Sequence, residues 1–444
     1  MPEDPDHLPV PLEGDDKWDD DHVKLPNSLF CKYKEIDEAG NVQEKLRWDL
    51  IEESLTSSKI SNSQEFEGAV KKYFMKSDRI FNSYHELFEN SFLEEDADLF
   101  FDNILPKIIE LALRLPELMR SPIPLLKKTM NKSISMSQEQ AACLLANAFL
   151  CTFPSRNQSK KNTDYPEINF NRLFSCSGNS VVEKLKCLCN YFRRICTKAM
   201  PTGVLTFQRR FIDALEFPDL GESTANFSST KLILSSKATI EDGAGMLQVD
   251  FANRYLGGGA LGQGCVQEEI RFVINPEMIV GMLFCESMSS TEAIVMTGCE
   301  QFNKYSGYAG SFEWSGNFFD KTPCDEFRRR MTYVVAIDAL SFHKPYLQFE
   351  NFTLTREVRK AFVGFYHNPL DETKPIAVCS GNWGCGAFRG FKPLKAIIQL
   401  IACCLNQRNL FYCTFGEIKL EHEINRMFQF IKRNEITVGK FSNV

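Results

Sequence analysis

The pattern of apolar and polar positions separates a helical region, residues 46–200, from the rest of the chain. Its clearest signal begins at Ser137 and Gln140, which have the spacing of a capping box at a helix start. The apolar residues behind this pair lie on one helix face: Ala141, Leu144, Leu145, Ala148 and Phe149. This helix should end before Pro154, and a second is predicted over 182–194. We therefore expect an all-helical domain over residues 46–200.

From residue 201 onward the pattern changes to short β-rich runs with helical stretches between them. The predicted strands are 231–234, 246–250, 293–297, 333–337, 376–379 and 410–415. Helices are predicted over 276–284 and 393–405. This alternation favours an α/β domain over residues 201–444, with helices on both faces of the sheet. In such sheets ligands bind at the carboxyl ends of strands, so motifs that follow strands are candidates for a site.

Residues 1–45 are acidic, contain proline and show little periodicity, which predicts a flexible arm. The pattern is not that of a secretory signal, and no apolar run approaches the roughly 20 residues of a membrane-spanning helix. The net charge of −7 argues against duplex nucleic acid as the main partner. We expect no membrane association and no direct binding to duplex nucleic acid.

The sixteen cysteines are scattered through apolar segments and include no Cys-x-x-Cys pair. The six histidines are dispersed, so no metal site is expected. Without a secretory signal we interpret the cysteines as reduced core residues, which predicts an intracellular protein. Lys160 and Lys161 lie in a polar segment, which we interpret as a solvated loop rather than a nuclear signal.

Residues 249–269 contain five glycines followed by two adjacent carboxylates, Glu268 and Glu269. The glycines are Gly257, Gly258, Gly259, Gly262 and Gly264. Glycine lets the backbone adopt positive φ and approach a ligand closely, and successive N–H groups in such a loop form a concave site for anions such as phosphate. An anion-binding loop directly before two carboxylates suggests a carboxylate that acts on a glycosidic bond of an anionic ligand.

The two glutamates lie at the start of a predicted helix that should end before Pro276. Adjacent helical residues diverge by about 100°, so Glu268 and Glu269 cannot face each other across one bond and should have different roles. The helix dipole favours ionised carboxylates there, whereas mutual repulsion, burial and a bound diphosphate favour a retained proton. The alternative is an ordinary acidic first turn, and the glycine loop in front favours the functional interpretation.

Polar groups after other strands extend the set of candidates. Asp250 follows an apolar strand, where capping of the next turn and a functional role fit equally, and the Asn253 amide suits a ribose hydroxyl. Residues 379–388 contain Gly381, Gly384 and Gly386 and match neither the P-loop nor the dinucleotide motif. Three aromatic residues either stack on adenine, cover a sugar or belong to the core: Tyr305, Tyr308 and Phe415.

The three consecutive glycines from Gly257, a spacer of seven residues and Gln267-Glu268-Glu269 resemble the signature of the poly(ADP-ribose) glycohydrolases. Further segments are similar to that family: 122–126, 136–140, 144–148, 170–174, 249–254, 305–308, 335–339, 381–388 and 414–416. The resemblance runs from about Trp48 to the carboxyl end and is closest to the animal-type enzymes with a helical accessory domain.

This resemblance implies a macrodomain-like α/β fold for 201–444, with a mixed central sheet flanked by helices, preceded by the helical accessory domain. The implied reaction is hydrolysis of the ribose–ribose O-glycosidic bonds of poly(ADP-ribose), mainly by exo-cleavage that releases ADP-ribose. No cofactor and no metal are implied. The implied partners are poly(ADP-ribose) and ADP-ribosylated proteins, with a monomeric enzyme in the nucleus, the cytoplasm or both, reversing ADP-ribosylation, including that made in response to DNA damage.

The resemblance also implies roles for individual residues. Glu269 is the general acid and then the base, Glu268 holds the ribose hydroxyls, and Asp250 and Asn253 position the site. The implied substrate contacts are Gly257, Gly258 and Gly259 for the distal ribose and diphosphate, Ile240, Glu241, Gln267 and Phe415 for adenine, Tyr308 as a cover, and Asn382 and Phe388 on the diphosphate loop.

Two other functions remain open: a macrodomain that only reads ADP-ribose, and an enzyme that removes the last, protein-linked ADP-ribose. Tandem glutamates after the loop favour the hydrolase over the reader, because a reader has no use for a proton donor.

Overall fold

The computed structural model describes residues 13–36, 40–74, 79–154, 164–367 and 374–442, so the Lys160-Lys161 segment lies outside the described residues. Their β-strands are β1 Lys32–Ile36, β2 Val42–Leu46, β3 Lys132–Ser137, β4 Val204–Phe211, β5 Leu232–Ser235, β6 Leu247–Asp250, β7 Glu292–Gly298, β8 Asn303–Ser306, β9 Glu313–Asn317, β10 Arg330–Ala336, β11 Val378–Gly381 and β12 Leu410–Cys413. Their α-helices are α1 Arg47–Thr56, α2 Ser63–Tyr73, α3 Asn82–Glu86, α4 Glu94–Leu99, α5 Leu105–Leu113, α6 Leu115–Leu118, α7 Gln138–Phe149, α8 Asn171–Ser175, α9 Asn179–Thr197, α10 Gln267–Ile274, α11 Asn351–Gly364, α12 Lys392–Leu405, α13 Ile418–Arg433 and α14 Val438–Ser442.

Eight strands form one mixed sheet in the order β3-β4-β7-β10-β6-β11-β12-β5. The five strands from β10 to β5 are parallel, whereas β3, β4 and β7 pair antiparallel. The carboxyl ends of β6, β11 and β12 therefore meet at one edge of the sheet. All four residues of β6 are buried, so this strand delivers its last residue, Asp250, to the edge from inside the core.

Side chains on the two faces of the sheet enter different cores, as the two-residue period of a strand requires. Ile294 and Met296 of β7 belong to a core shared with the helical region, including Leu145 of α7. Val295 and, from β10, Val335 belong to a core with α11, α12 and α13. The sheet is thus covered on both faces, and one of its covers is the helical region.

The predicted helix after Ser137 is confirmed with its capping box: the Ser137 hydroxyl accepts the Gln140 N–H at 3.1 Å, and the Gln140 side chain accepts the Ser137 N–H at 3.0 Å. The helix ends at Phe149, before Pro154 as predicted. The second helix, α9, is longer than the predicted 182–194 because it spans Asn179–Thr197.

The prediction of an entirely helical region over 46–200 is wrong in one respect. Strand β3 lies inside that range and pairs with β4, so the region contributes an edge strand to the main sheet. The sequence Lys-Ser-Ile-Ser-Met-Ser of β3 alternates polar and apolar residues, a strand pattern that the neighbouring helical periodicity obscured.

The prediction of a flexible arm over 1–45 is wrong for its described part, residues 13–36 and 40–45. Val23 and Leu25 are buried, and the Val23 N–H donates to the Ile123 carbonyl at 2.8 Å. Strands β1 and β2 pair as an antiparallel hairpin that leads into α1. Residues 1–12 and 37–39 lie outside the described residues.

The stretch predicted as a helix over 276–284 is a 3₁₀ helix, Pro276–Leu283, with all its residues buried. Among the described helices, none combines the length and apolar character needed to cross a bilayer.

Candidate active site

The two adjacent glutamates are buried and held by backbone N–H groups of the glycine loop that precedes them. The Glu268 carboxylate accepts the N–H groups of Asn253 at 2.8 Å and Gly257 at 2.7 Å. The Glu269 carboxylate accepts those of Gly259 and Val266, both at 2.8 Å. Each carboxylate thus has its own pair of donors, which is the divergence expected for neighbouring residues at a helix start.

Gly258 and Gly264 have no room for a side chain beside the two glutamates. A Cβ atom at Gly258 would lie 2.5 Å from an oxygen of Glu268 and 2.6 Å from one of Glu269, and its φ is +49°. A Cβ at Gly264 would lie 2.7 Å from Glu269 Oε1. The glycines therefore let the backbone close around both carboxylates, which is a more specific reason for them than general flexibility.

Gln267 joins the start of α10 to the end of β6. Its side-chain oxygen accepts the Phe251 N–H at 2.7 Å, and its side-chain nitrogen donates to the Val249 carbonyl at 3.2 Å. This link sets the position of both glutamates relative to Asp250. The structure therefore brings together the predicted residues from Asp250 and Asn253 through the glycines to Gln267–Glu269.

Asp250 lies close to these glutamates and is fully buried. Neither of its carboxylate oxygens has a hydrogen-bond partner among the described residues. Burial raises the pKa of Asp250 well above the ordinary carboxyl range; the nearby charge of Glu269 adds to this rise and that of Arg271 opposes it. Burial likewise raises the pKa of Glu268, with smaller contributions from the charges of Asp250 and Glu269. Asp250 and Glu268 therefore retain protons at pH values where exposed carboxyls are ionised.

Lys184, a residue of α9 in the helical region, holds the glycine loop from the other side. Its ammonium group is fully buried and donates to the carbonyl oxygens of Gly262 and Gly264, both at 2.6 Å. It also donates to those of Ala260 at 3.1 Å and Gly259 at 3.3 Å. Burial lowers the pKa of Lys184 to about 8. A single cation thus organises four carbonyl groups of the loop whose N–H groups hold the glutamates.

The second glycine-rich stretch and its aromatic neighbour lie at the ends of β11 and β12. The Asn382 amide is fixed by the Tyr412 hydroxyl at 3.0 Å and by Glu417 at 3.2 Å. The ring of Phe415 lies against Gly381, where a Cβ would be 2.6 Å from its Cε2 atom, and 42 % of Phe415 is exposed. An exposed ring at a strand end offers a flat apolar face to a ligand.

Other predicted contacts surround this edge. Ile240 and Glu241 form a 3₁₀ turn before β6; Ile240 is buried, and Glu241 lies 4.0 Å from the Arg271 guanidinium. Tyr308 is half exposed, on the connection between β8 and β9, and this hairpin rests on α9, where the Trp314 N–H donates to Glu183 at 3.0 Å. The backbone of Phe388 accepts the Phe342 N–H at 3.0 Å.

Two models of one protein family match this chain. Residues 92–209 match the family model "Poly (ADP-ribose) glycohydrolase (PARG), helical domain", and residues 217–422 match "Poly (ADP-ribose) glycohydrolase (PARG), Macro domain fold". The chain is similar to Poly(ADP-ribose) glycohydrolase 1 of Arabidopsis thaliana, at 33 % identity over 82 % of this chain and 80 % of the relative. It is also similar to Probable poly(ADP-ribose) glycohydrolase 2 of Arabidopsis thaliana, at 35 % identity over 80 % of this chain and 79 % of that relative. A third relative, Poly(ADP-ribose) glycohydrolase 1 of Caenorhabditis elegans, is 36 % identical over 69 % of this chain and 39 % of its own length.

The chain belongs to the poly(ADP-ribose) glycohydrolase family. The expected fold, a helical domain followed by a macrodomain with a mixed sheet, is confirmed. Within this fold, the acidic cluster lies at the end of β6, the diphosphate-loop candidates follow the neighbouring strand β11, and the adenine candidate Phe415 follows β12. The adjacency of these strands is what places both groups at the same edge.

Lys184 was not among the residues predicted for the site, although the spacing of its helix pointed to it. Val181, Lys184, Leu185 and Leu188 follow helical spacing, so a lysine interrupts an otherwise apolar helix face. A charge at such a position is expected to have a buried partner. The partner here is the main chain of a loop some eighty residues later, which the sequence does not reveal.

Across residues 13–36, 40–74, 79–154, 164–367 and 374–442, no three His, Cys, Asp or Glu side chains are grouped as metal ligands. None of the sixteen cysteines is in a disulfide, and most are buried. That the enzyme needs no metal remains a prediction.

The unpartnered Asp250 carboxylate predicts a pH-dependent gain in stability on substitution. A carboxyl group with a raised pKa in the folded state stabilises the fold at low pH and loses that contribution as the pH rises from the unfolded pKa through the folded one. Asp250→Asn should therefore raise the Tm more at pH 8.5 than at pH 4.5, because the gain in the free energy of unfolding over wild type grows by up to about 1.4 kcal/mol per pH unit. Thermal unfolding at several pH values measures this, with Asp98→Asn on the exposed face of α4 as control; a gap that does not change with pH would refute it.

The Lys184 contacts predict that the helical domain is needed for turnover. Lys184→Met leaves four buried carbonyls without their donor, at about 1–3 kcal/mol for each one left unsatisfied. We expect a loss of several kcal/mol in the free energy of unfolding and at least a tenfold loss in kcat for a fraction that is still folded. Denaturant unfolding and turnover assays measure both. The control is Arg193→Met on the exposed face of the same helix, which removes a hydrogen bond to the Asn190 side chain at 2.6 Å and should cost about 1 kcal/mol. Equal behaviour of the two variants would contradict the assigned role.

Proposed function

We propose that this chain hydrolyses the ribose–ribose O-glycosidic bonds of poly(ADP-ribose), acting mainly at chain ends and releasing ADP-ribose. Family membership supports the reaction class. The observation that carries the mechanism is the pair of buried glutamates, each held by its own two backbone N–H groups at the mouth of the glycine loop.

In the proposed mechanism Glu269 handles the proton. It protonates the leaving ribose oxygen as the bond from that oxygen to the anomeric carbon breaks, which leaves an oxocarbenium-like centre on the distal ribose. A water molecule then adds to that carbon and gives its proton to Glu269, which restores the starting state. Glu268 points elsewhere and holds the ribose hydroxyls, so one residue acts as acid and then base.

Two buried carboxyl groups lie beside the proposed proton donor. Burial raises the pKa of Asp250 and of Glu268, and the two groups interact, so their bound protons belong to the pair rather than to one residue. Desolvation favours the neutral forms, which offsets the helix dipole at the start of α10. Protons are therefore retained on Asp250 and Glu268, next to Glu269, at pH values where exposed carboxyls are ionised.

The proposed substrate contacts follow the edge of the sheet. Phe415 stacks on adenine beside Ile240, the loop at Asn382 receives the diphosphate, and Tyr308 covers the bound ribose. The exposed rings of Phe415 and Tyr308 offer one flat face for a base and another for a sugar.

A reader that binds ADP-ribose without cleaving it is the competing function. The buried acidic cluster favours the hydrolase, because placing three carboxyls together costs folding free energy that simple binding of an anion does not need. We further propose that the substrate is carried by ADP-ribosylated proteins inside the cell, in nucleus or cytoplasm, and that the enzyme acts as a monomer.

Removing the proton donor should abolish hydrolysis but preserve binding. Glu269→Gln keeps the size of the side chain and should lower kcat on poly(ADP-ribose) by roughly 10²–10⁴-fold, since general acid–base catalysis contributes about that much. The Kd for ADP-ribose, measured by calorimetry, should stay within a few-fold of wild type. Glu423→Gln on the exposed face of α13 is the control. Near-normal turnover by Glu269→Gln would show that the proton donor is another group.

The stacking assignment predicts a loss of affinity for the product. Phe415→Ala should raise the Kd for ADP-ribose about 5- to 100-fold, since stacking of a base on an aromatic ring contributes about 1–3 kcal/mol. Calorimetric titration with ADP-ribose measures this, with Phe430→Ala, an exposed ring on α13, as the matched control. Unchanged affinity would place the adenine elsewhere.

A further inference from the structure

A buried lysine of α12, Lys395, lies against the base of the loop at Asn382. The residue is 1 % exposed, and its ammonium group is 4.1 Å from the centre of the Trp383 ring. A Cβ atom at Gly384 would lie 3.2 Å from Lys395 Nζ, and one at Gly390 would lie 3.0 Å from its Cε. The two glycines therefore let the main chain of the loop rest on the lysine.

The main chain of the loop closes over this ammonium group. The Gly390 N–H donates to the Gly384 carbonyl at 2.9 Å, which joins the two segments that contact the lysine. Gly386 and Ala387, which lie between these segments, are exposed. The loop thus has an exposed tip and a buried positive charge at its base.

The lysine belongs to a buried network of five charged residues on α11, on α12 and just after β10. The Glu357 carboxylate accepts from Lys395 and, at 2.6 Å, from the Arg356 guanidinium. The Asp338 carboxylate forms ion pairs with Arg356 and Lys360, both at 2.6 Å. None of the five side chains is more than 11 % exposed, so water screens their charges little.

This network contains one more positive charge than negative. Three cations face two carboxylates, and among the described residues no further carboxylate forms an ion pair with any of the three cations. Burial and the charge of Arg356 lower the pKa of Lys395 well below its ordinary value, and the charge of Asp338 opposes this. A buried charge without a counter-charge costs free energy, which a bound anion would offset.

We propose that Lys395 supplies the positive charge that attracts the diphosphate of ADP-ribose, acting through the loop above it rather than by direct contact. This inference rests on the proposed function, which places the diphosphate on that loop. Lys395 is thus a positioning residue, and its charge affects the binding of substrate rather than the proton transfer at Glu269.

The charge of the whole chain makes such a local cation necessary. With a net charge of −7, the protein as a whole repels an anionic ligand. The excess positive charge of the buried network acts where water is excluded, so its attraction for an anion is stronger than that of a lysine in water. The N–H groups of the loop can then bind the phosphate oxygens that this charge draws to them.

The test compares a ligand that contains the diphosphate with one that does not. Lys395→Met removes the charge and should raise the Kd for ADP-ribose, measured by calorimetry, at least tenfold. The Kd for adenosine, measured by NMR titration, should change less than twofold. On poly(ADP-ribose), kcat/KM should fall mainly through a higher KM, because the proton donor is untouched.

A second variant separates the charge of Lys395 from its support of the loop. Lys395→Met combined with Glu357→Gln removes one cation and one carboxylate, so the excess positive charge returns while the contact with the loop stays absent. The Kd for ADP-ribose should recover to within about threefold of wild type. A double variant that binds ADP-ribose no better than Lys395→Met would show that the lysine only supports the loop, and would overturn the proposal.

If Lys395→Met does not fold, Glu357→Gln alone takes its place in the comparison. This variant keeps Lys395 and has a larger excess of positive charge than the double variant, so it should bind ADP-ribose more tightly than the double variant does. Equal or weaker binding would overturn the proposal.

The controls separate this role of Lys395 from the proposed function. Lys432→Met, at the exposed carboxyl end of α13, makes the same change in charge in water and should leave the binding of both ligands unchanged. Equal effects of Lys395→Met on ADP-ribose and adenosine, or no effect on either, would overturn the role of the lysine, while hydrolysis by wild type would still support the proposed function. Wild type that binds ADP-ribose but leaves the polymer intact would overturn the proposed function, and the binding comparison would still decide the role of Lys395.

Discussion

The main-chain hydrogen bonds that surround Glu268 and Glu269 constrain the rest of this structure. Two adjacent carboxylates can be buried only if each finds donors, and the four N–H groups that serve them come from residues 253–266. The loop must therefore fold back on the start of α10, and glycine is required where a side chain would strike an oxygen, as at Gly258. The carbonyl groups of the same loop then point the other way, and Lys184 collects four of them.

This arrangement makes the helical domain part of the catalytic apparatus. The ammonium group that fixes the loop belongs to α9, and the hairpin that carries Tyr308 rests on the same helix. The core on that face of the sheet is also shared, since Leu145 packs in one cluster with Met296. Removal of the helical domain would thus expose apolar surface and free the loop at once, so we expect the two parts to fold together.

The extent to which the sequence predicted this structure depends on how local each signal is. The strands that carry the site and the capping box at Ser137 depend on short patterns and were found. The glycine loop before Glu268 and Glu269 predicted a functional site. Because neighbouring helical residues point in different directions, the sequence also predicted different roles for the two glutamates. Strand β3 was missed because six alternating residues lie between helical segments, and the ordered part of the arm was missed because its burial depends on pairing with Ile123, some hundred residues later. Lys184 binds a loop some eighty residues later, and such a long-range contact shows in the local sequence only as a lysine on an apolar helix face.

Hydrolysis by the buried glutamates is tested most directly by incubating the purified chain with poly(ADP-ribose) and separating the products by size over time. We expect ADP-ribose to accumulate from the first time points while long chains shorten gradually. Polymer that is bound by the protein but keeps its length throughout would contradict it, because the buried glutamates would then serve binding alone.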